Sequence, residues 1–145
     1  MQILSIDPGV KGGAAFLDLP LVQTFSFAGK SEQEIRDRLF AMACDVALVG
    51  GKCFMEKVNS LPSDGHVGAF TFGRSYGFYR GIVMCAGLEI LNVPPAMWQA
   101  RMGCLTGGDK RVSKAMAQKL FPSIKVTHNI ADALLIAEYG RRVLS

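Results

Sequence analysis

Three acidic residues lie within the most hydrophobic stretches of the chain. Asp7 ends the run QILSID, Glu56 lies in KCFMEKV, and Asp132 lies in NIADALLIAEYG. A buried carboxylate is costly unless a cation or hydrogen-bond donors pair with it. Few Lys or Arg residues are near these acids in sequence, so a shared divalent cation is the simplest partner, and oxygen ligands favour Mg²⁺ or Mn²⁺. The pattern predicts a metal site.

Each acid also has a purely structural interpretation. Asp7 before Pro8-Gly9 fits a turn, Glu56 beside Lys57 fits an ion pair on an edge strand, and a helix dipole would favour Asp132 near a helix start. These interpretations require three independent coincidences. One metal site explains all three acids together, and we therefore favour it.

The hydrophobic pattern predicts an α/β order of elements that would hold these acids on rigid segments. Short connections between the first three strands indicate an antiparallel meander. Ser31 and Glu34 form a capping box that opens the first helix, and Asp109 is expected to cap a basic helix. Strands are predicted at 2–7, 13–17, 21–27, 53–58 and 88–93, and the later helices at 67–86, around Trp98, at 109–121 and at 129–144.

Composition and length predict one domain over residues 1–145. Half of the residues are apolar and 19% are charged, which excludes a disordered chain. No apolar run is long enough to span a bilayer and no signal peptide opens the chain, so we expect a cytoplasmic protein. The four cysteines show no C-x-x-C spacing and are expected to be small buried residues rather than zinc ligands.

Positive charge is concentrated between residues 101 and 125, where six Lys or Arg residues accompany one acid, Asp109. Such a segment favours a polyanionic partner, although a solvated helix face is the common alternative. Lys110 and Lys114 are one helical turn apart, with Arg111 beside them. Trp98 could stack on a base, but a single Trp after a Pro pair is more often part of a core.

Four sequence blocks, together with the order of elements, resemble a RuvC-type Holliday junction resolvase of the phage and chloroplast branch. The blocks are IDPGVKGG, MEKV followed by FTFGRSYG, VPPAMW with TGGDKRVSKAMAQKLFP, and HNIADALLIAEYGRR. They span nearly the whole chain. The resemblance implies a ribonuclease H-like α/β fold, with a five-stranded mixed sheet of three antiparallel strands plus parallel strands, flanked by helices.

The resemblance also implies the chemistry. Asp7, Glu56 and Asp132 match the family's acids on the first strand, the central strand and the last helix, which hold two Mg²⁺ or Mn²⁺ ions per active site. Hydrolysis in the family leaves 5′ phosphate ends. The family's fourth ligand is usually an acid three or four residues before the last one, where this chain has Asn129 and His128. Because His128 and Asp132 share one helical face, we predict that His128 is a ligand, with Asn129 as the alternative. A His near a helix start can also be a cap or a surface residue.

Branched DNA and a second copy of the chain are the partners that the resemblance implies, without a membrane or a nucleotide cofactor. Lys110 matches a family lysine that contacts phosphate, whereas Gln99 replaces a lysine of the bacterial enzymes. A phage role in resolving branched DNA is a hypothesis from the branch alone. The candidate DNA contacts are Lys57, Arg74, Lys110, Arg111 and Lys114.

Gly73, Gly77 and Gly81 form a stripe on the middle helix. Glycine costs a helix about 1 kcal/mol relative to Ala, so the stripe indicates close approach of another segment. The family uses this region for a two-fold dimer. Packing on the protein's own sheet is the other interpretation.

Three other functions fit part of the sequence. DPGVKGG also fits the phosphate loop of actin-like proteins and sugar kinases, but those need two such domains. A YqgF-like RNA-processing nuclease is similar in length, although FTFGRSYG and the basic helix fit resolvases better. A non-catalytic junction-binding module would have no use for all three acids.

Overall fold

The computed structural model describes residues 1–145, and its central feature is one five-stranded sheet in the order β3-β2-β1-β4-β5. β1 pairs antiparallel with β2, and β2 with β3, whereas β1, β4 and β5 run parallel. This arrangement confirms the predicted mixed sheet. The strands are β1 (Ile3–Asp7), β2 (Gly13–Asp18), β3 (Leu21–Ser26), β4 (Lys52–Glu56) and β5 (Ile90–Val93).

Five helices and one 3₁₀ turn (Pro62–Asp64) complete the fold. Ser31 Oγ accepts from the Glu34 N–H at 3.1 Å, and the Glu34 carboxylate accepts from the Ser31 N–H at 2.7 Å, which is the predicted capping box. Asp109 caps the basic helix by accepting from the Arg111 N–H. The helices are α1 (Glu32–Leu48), α2 (Gly65–Cys85), α3 (Pro95–Arg101), α4 (Lys110–Leu120) and α5 (His128–Leu144).

The sheet is buried on both faces, and alternation along its strands divides the core in two. Ile3 and Phe54 share one cluster with residues of α3, α4 and α5. Leu4, Ile6 and Met55 share the other with residues of α1 and α2. Because successive side chains of a strand point to opposite faces, Asp7 and Glu56 lie on the α5 face.

Helix α5 lies unusually close to the sheet. A Cβ added at Gly13 would be 2.9 Å from the carbonyl oxygen of Asn129, and one at Gly140 would be 2.6 Å from the Phe54 ring. Between them, the buried Ser5 hydroxyl donates to the Ala133 carbonyl at 2.6 Å. Gly13 is opposite Asp7 in the β1–β2 ladder, so this approach brings the start of α5 to the acid.

All four cysteines are free. Cys53 and Cys104 are buried as predicted, and Cys44 is partly buried. The prediction was wrong for Cys85, which is exposed at the end of α2. None of the helices combines the length and the apolar character that crossing a membrane requires.

Candidate active site

Asp7 and Glu56 are brought together by the parallel pairing of β1 and β4. Ile6 is opposite Met55 in that ladder, so the next residues, Asp7 and Glu56, are neighbours at the C-terminal ends of their strands. Parallel strands end at one edge of a sheet, where α/β proteins commonly place their sites. The interpretation of Glu56 as part of an edge-strand ion pair is wrong, because β4 lies between β1 and β5 and Lys57 forms no salt bridge.

Asp132 completes the group from the first turns of α5, and the three acids affect one another electrostatically. The pKa of Asp7 is raised to about 6, chiefly by burial and then by the charge of Asp132. The pKa of Glu56 is raised to about 7 by burial, with further increases from Asp7 and Asp132. Burial also raises the pKa of Asp132.

One lysine opposes this concentration of negative charge. The ammonium of Lys110 lowers the pKa of each of the three acids, but burial, with added repulsion between acids at Asp7 and Glu56, outweighs it. Three carboxylates against one ammonium leave an excess of negative charge. An all-oxygen donor set with such an excess suits Mg²⁺ or Mn²⁺, and these residues therefore fit a divalent cation.

Each carboxylate is held by a protein donor. Asp7 Oδ1 accepts from the Gly9 N–H at 3.3 Å, and Glu56 Oε1 accepts from the Trp98 indole N–H at 2.9 Å. A hydrogen bond from Ser113 acts on Asp132. As placed, no three His, Cys, Asp or Glu side chains converge closely enough to hold one ion. Shared ligation of a cation therefore requires at least one of these side chains to move closer to the others.

His128 is the first residue of α5 and is exposed, one turn before Asp132. Its charge acts to lower the pKa of Asp132, so the two side chains are electrostatically coupled, as expected for residues on one helical face. The backbone carbonyl of Asn129 lies against Gly13, and its side chain stays the alternative fourth ligand. The role of His128 as a metal ligand stays a prediction.

The candidate DNA-binding side chains differ in whether a carboxylate already pairs with them. Lys57 is exposed directly after Glu56, and Lys114 is half-buried one turn after Lys110. Arg74 forms an ion pair with Glu32, and the Arg111 guanidinium donates to Asp109 at 3.1 Å. The three lysines therefore have free ammonium groups, whereas the two arginines have carboxylate partners.

Trp98 and Ser113 were not predicted as parts of the site. Trp98 is fully buried, as the core interpretation expected, but its N–H is bonded to Glu56. The signal was present in part, because a buried indole N–H needs an acceptor, although the sequence does not show which one. A small cavity of about 70 Å³ lies beside this group, and its lining includes Gln99, Cys104, Thr106, Lys110, Ser113 and Asp132.

The glycine stripe of α2 faces open space. A Cβ at Gly73, Gly77 or Gly81 would have no neighbour within 4 Å. The interpretation of close packing on the protein's own sheet is therefore wrong. Gly77 and Gly81 instead line an apolar groove between α1 and α2, together with Phe40 and Ile82.

Comparison with known proteins adds a sequence relative and two structures. No family model matches the sequence. The chain is 34% identical over 101 residues to the chloroplastic Holliday junction resolvase MOC1 of Chlamydomonas reinhardtii, a match that covers 66% of this chain. The chain spans about a tenth of that relative, since the match covers 11% of it.

Two solved structures share the whole fold. Thermus thermophilus RuvC superposes with a TM-score of 0.64, and the same protein in complex with a Holliday junction substrate with a TM-score of 0.65. Each match has 16% identity and covers 99% of this chain and 96% of the other. The chain therefore has the RuvC fold, which confirms the predicted resemblance and its ribonuclease H-like architecture.

Proposed function

We propose that this protein is an endonuclease that resolves four-way DNA junctions by hydrolysing phosphodiester bonds. The observation that carries the proposal is the group formed by Asp7, Glu56 and Asp132. Burial raises the pKa of all three, repulsion from neighbouring acids adds to this at Asp7 and Glu56, and one lysine opposes their charge. Perturbed acids at the ends of parallel strands are typical of catalytic sites. The likeness to junction resolvases in sequence and fold supports the same assignment.

In this proposal Asp7, Glu56 and Asp132, with His128, hold divalent cations, Mg²⁺ or Mn²⁺. A pair of such ions, when bound, would supply an activated water and stabilise the leaving 3′ oxygen. The acids must be ionised for this role, and the Trp98 and Ser113 donors favour their ionised forms. No Ser or Cys nucleophile is needed, because water attacks phosphorus and the P–O3′ bond breaks to leave a 5′ phosphate.

Lys110 is the residue best placed to receive the scissile phosphate, because its charge acts on all three acids. Lys57, directly after Glu56, and Lys114, one turn after Lys110, are proposed to extend this positive surface. Arg74 and Arg111 are also proposed to contact DNA, after they exchange carboxylate partners for phosphate. Exposed ion pairs contribute about 0–1 kcal/mol, so this exchange is inexpensive.

A homodimer is proposed to form through α2, since two symmetric cuts need two sites. The helix leaves Gly73, Gly77 and Gly81 uncovered and exposes Phe70 and Met84. Helices approach closely where such glycines line up, and a second copy of α2 fits this open stripe. Gly77→Leu should give a monomer by light scattering, whereas Lys119→Leu, which adds the same side chain to exposed α4, should stay dimeric. A folded, fully dimeric Gly77→Leu protein would show that the glycine stripe does not form the dimer interface.

The experiment that tests the function compares cleavage of a synthetic four-way junction, a fork, a linear duplex and a structured RNA, with Mg²⁺, with Mn²⁺ and with chelator. We expect cation-dependent cutting of the junction, and no cutting by Asp7→Asn, which should still bind it. Preferred cutting of RNA would indicate the RNA-processing alternative. Binding without cutting under every condition would indicate a non-catalytic module. The predicted cytoplasmic location stays a prediction, since the named relative is chloroplastic.

A further inference from the structure

The indole N–H of Trp98 donates its hydrogen bond to one acceptor, Glu56. The side chain is fully buried, and its Nε1–H donates to Glu56 Oε1 at 2.9 Å. An indole has one donor and no acceptor, and its ring cannot turn in a packed core as a hydroxyl can. The bond therefore fixes both the partner and the direction of approach. Ser113, the donor to Asp132, has a hydroxyl that rotates and fixes its acceptor less strictly.

The chain places this donor by a short, rigid connection. β5 is paired with β4 so that Val93 is opposite Glu56, and the Lys57 N–H donates to the Val93 carbonyl at 2.8 Å. Two prolines follow Val93. Pro94 is the N-cap of α3 and Pro95 its first residue, a position where proline has a preset backbone angle and loses no hydrogen bond. The chain thus turns directly from β5 into α3, which carries Trp98 back over the end of β4.

Packing then holds the ring at this point. Trp98 belongs to the core formed by α3, α4, α5 and one face of the sheet, together with Phe54, Met102 and Leu135. Movement of the indole would disturb a close-packed interior. Glu56, in contrast, lies at the end of its strand with a flexible side chain that is partly exposed. The rigid partner of this hydrogen bond is therefore Trp98, and the oriented partner is Glu56.

We infer that Trp98 is a positioning residue for Glu56, holding its carboxylate by one oxygen in the orientation in which it binds a divalent cation. The inference rests on the proposed function and adds a residue to it. Groups that hydrogen-bond to metal ligands orient them, and their loss typically costs about 10–100-fold in metal affinity or activity. The same range is expected here.

Trp98 is the only tryptophan of the chain, so an analogue can be introduced at this position alone. Its benzothiophene analogue keeps the bicyclic shape and lacks the N–H. We expect Mn²⁺ affinity, measured by calorimetry, to fall about 10–100-fold, and the maximal cleavage rate to fall with it. Junction affinity and melting temperature should stay near those of the parent. Trp98→Phe should show the same loss of Mn²⁺ affinity.

Phe121→Leu is the matched control, because Phe121 is buried in the same core but its side chain has no hydrogen-bond donor. It should lower stability while leaving Mn²⁺ affinity unchanged. When Trp98 is replaced by its benzothiophene analogue in the Glu56→Gln variant, we expect no further loss of Mn²⁺ affinity. A double-mutant cycle requires this result for a residue that acts through Glu56.

The outcomes separate this inference from the proposed function. A parent that binds Mn²⁺ and cuts junctions, with an analogue protein that does both equally well, would overturn the role of Trp98 and leave the function intact. Equal losses in the analogue and in Phe121→Leu would also overturn it, as an effect of packing. A parent that neither binds Mn²⁺ nor cuts would overturn both.

Discussion

The two ends of α5 both bury acidic side chains, but they compensate the charge differently. At the C-terminal end, Glu138 is only 6% exposed and accepts two hydrogen bonds from Arg141 and one from Arg142, all at 2.7 Å. Burial acts to raise the pKa of Glu138, but these two arginines outweigh it and lower the pKa. At the N-terminal end, the pKa of Asp132 is raised.

The difference separates structural charge from functional charge. Glu138 pairs with Arg141 and Arg142, three and four residues later on the same helix. Its negative charge is therefore compensated when the chain folds. Asp132 shares one lysine with Asp7 and Glu56. A protein that leaves buried acids without sufficient protein cations destabilises itself, and such an arrangement is characteristic of a site that binds a cation from solution.

The largest expected effect is the loss of cleavage in Glu56→Gln. The amide keeps an oxygen that can accept from Trp98 but gives up the charge that a cation needs. We expect junction cleavage to fall at least about a thousandfold, equivalent to about 4 kcal/mol in the activation free energy, with no loss of thermal stability at pH 7. Single-turnover rates and melting curves measure both quantities. A cleavage rate within tenfold of the parent's rate would show that the charge of Glu56 is not needed for cleavage, which would contradict the comparison.

The second effect concerns the other end of the helix. Glu138→Gln removes the charge that holds Arg141 and Arg142, so we expect the free energy of unfolding to fall by about 1.5–3 kcal/mol. Cleavage by the folded fraction should be unchanged. Denaturant unfolding and single-turnover cleavage of the same preparation provide the test. A loss of activity at full stability would show that Glu138 is not purely structural.

The third effect is a pH dependence of stability in cation-free protein. In the unfolded chain Asp7 and Glu56 ionise near 3.8 and 4.5, whereas in the folded protein their pKa values are about 6 and about 7. The folded state therefore binds more protons between about pH 4 and pH 7, and stability falls as the pH rises through this window. Because each pKa unit corresponds to about 1.4 kcal/mol, we expect a decrease of several kcal/mol.

Other groups titrate in the same window, so the test compares the parent with Asp7→Asn/Glu56→Gln. The variant should lose less stability than the parent between pH 4.5 and pH 7.5, and saturating Mn²⁺ should remove most of the parent's loss. If the stability of the two proteins falls equally with pH, the pKa values of Asp7 and Glu56 are not raised in the folded protein.

The smallest effect is expected at His128. As a ligand, its neutral imidazole suits Mn²⁺ better than Mg²⁺, so the parent should cut faster with Mn²⁺. His128→Ala should slow cutting about tenfold with both ions, at the lower end of the loss typical for groups that support a metal site, and His128→Asp should shift the preference towards Mg²⁺. Asn129→Ala is the matched control. Parent-like rates in His128→Ala would remove this residue from the site.

Much of the site could be predicted because local patterns determine it. Alternation along β1 and β4 places Asp7 and Glu56 on one face, and the helical repeat places Asp132 and His128 on another element. The capping box likewise marks where α1 starts. These features depend on residues within a few positions of one another.

The donor to Glu56 could not be predicted, because the folded chain brings it from a distant position. Trp98 is 42 residues from Glu56 in sequence, and only the β5–α3 turn joins them. The open side of the glycine stripe also depends on what α2 packs against. Glu138 is the exception, since Arg141 and Arg142 follow at helical spacing and the pair rule could have identified this cluster.

Direct titration of Mn²⁺ into cation-free protein at pH 7.5 tests the central claim, which is that the acids at the N-terminal end of α5 bind divalent cations. Calorimetry on the parent, Asp7→Asn and Glu138→Gln gives the comparison in one experiment. We predict that the parent and Glu138→Gln bind Mn²⁺ with equal affinity and that Asp7→Asn binds at least about tenfold more weakly. Equal binding by all three proteins, or binding by none, would contradict the account.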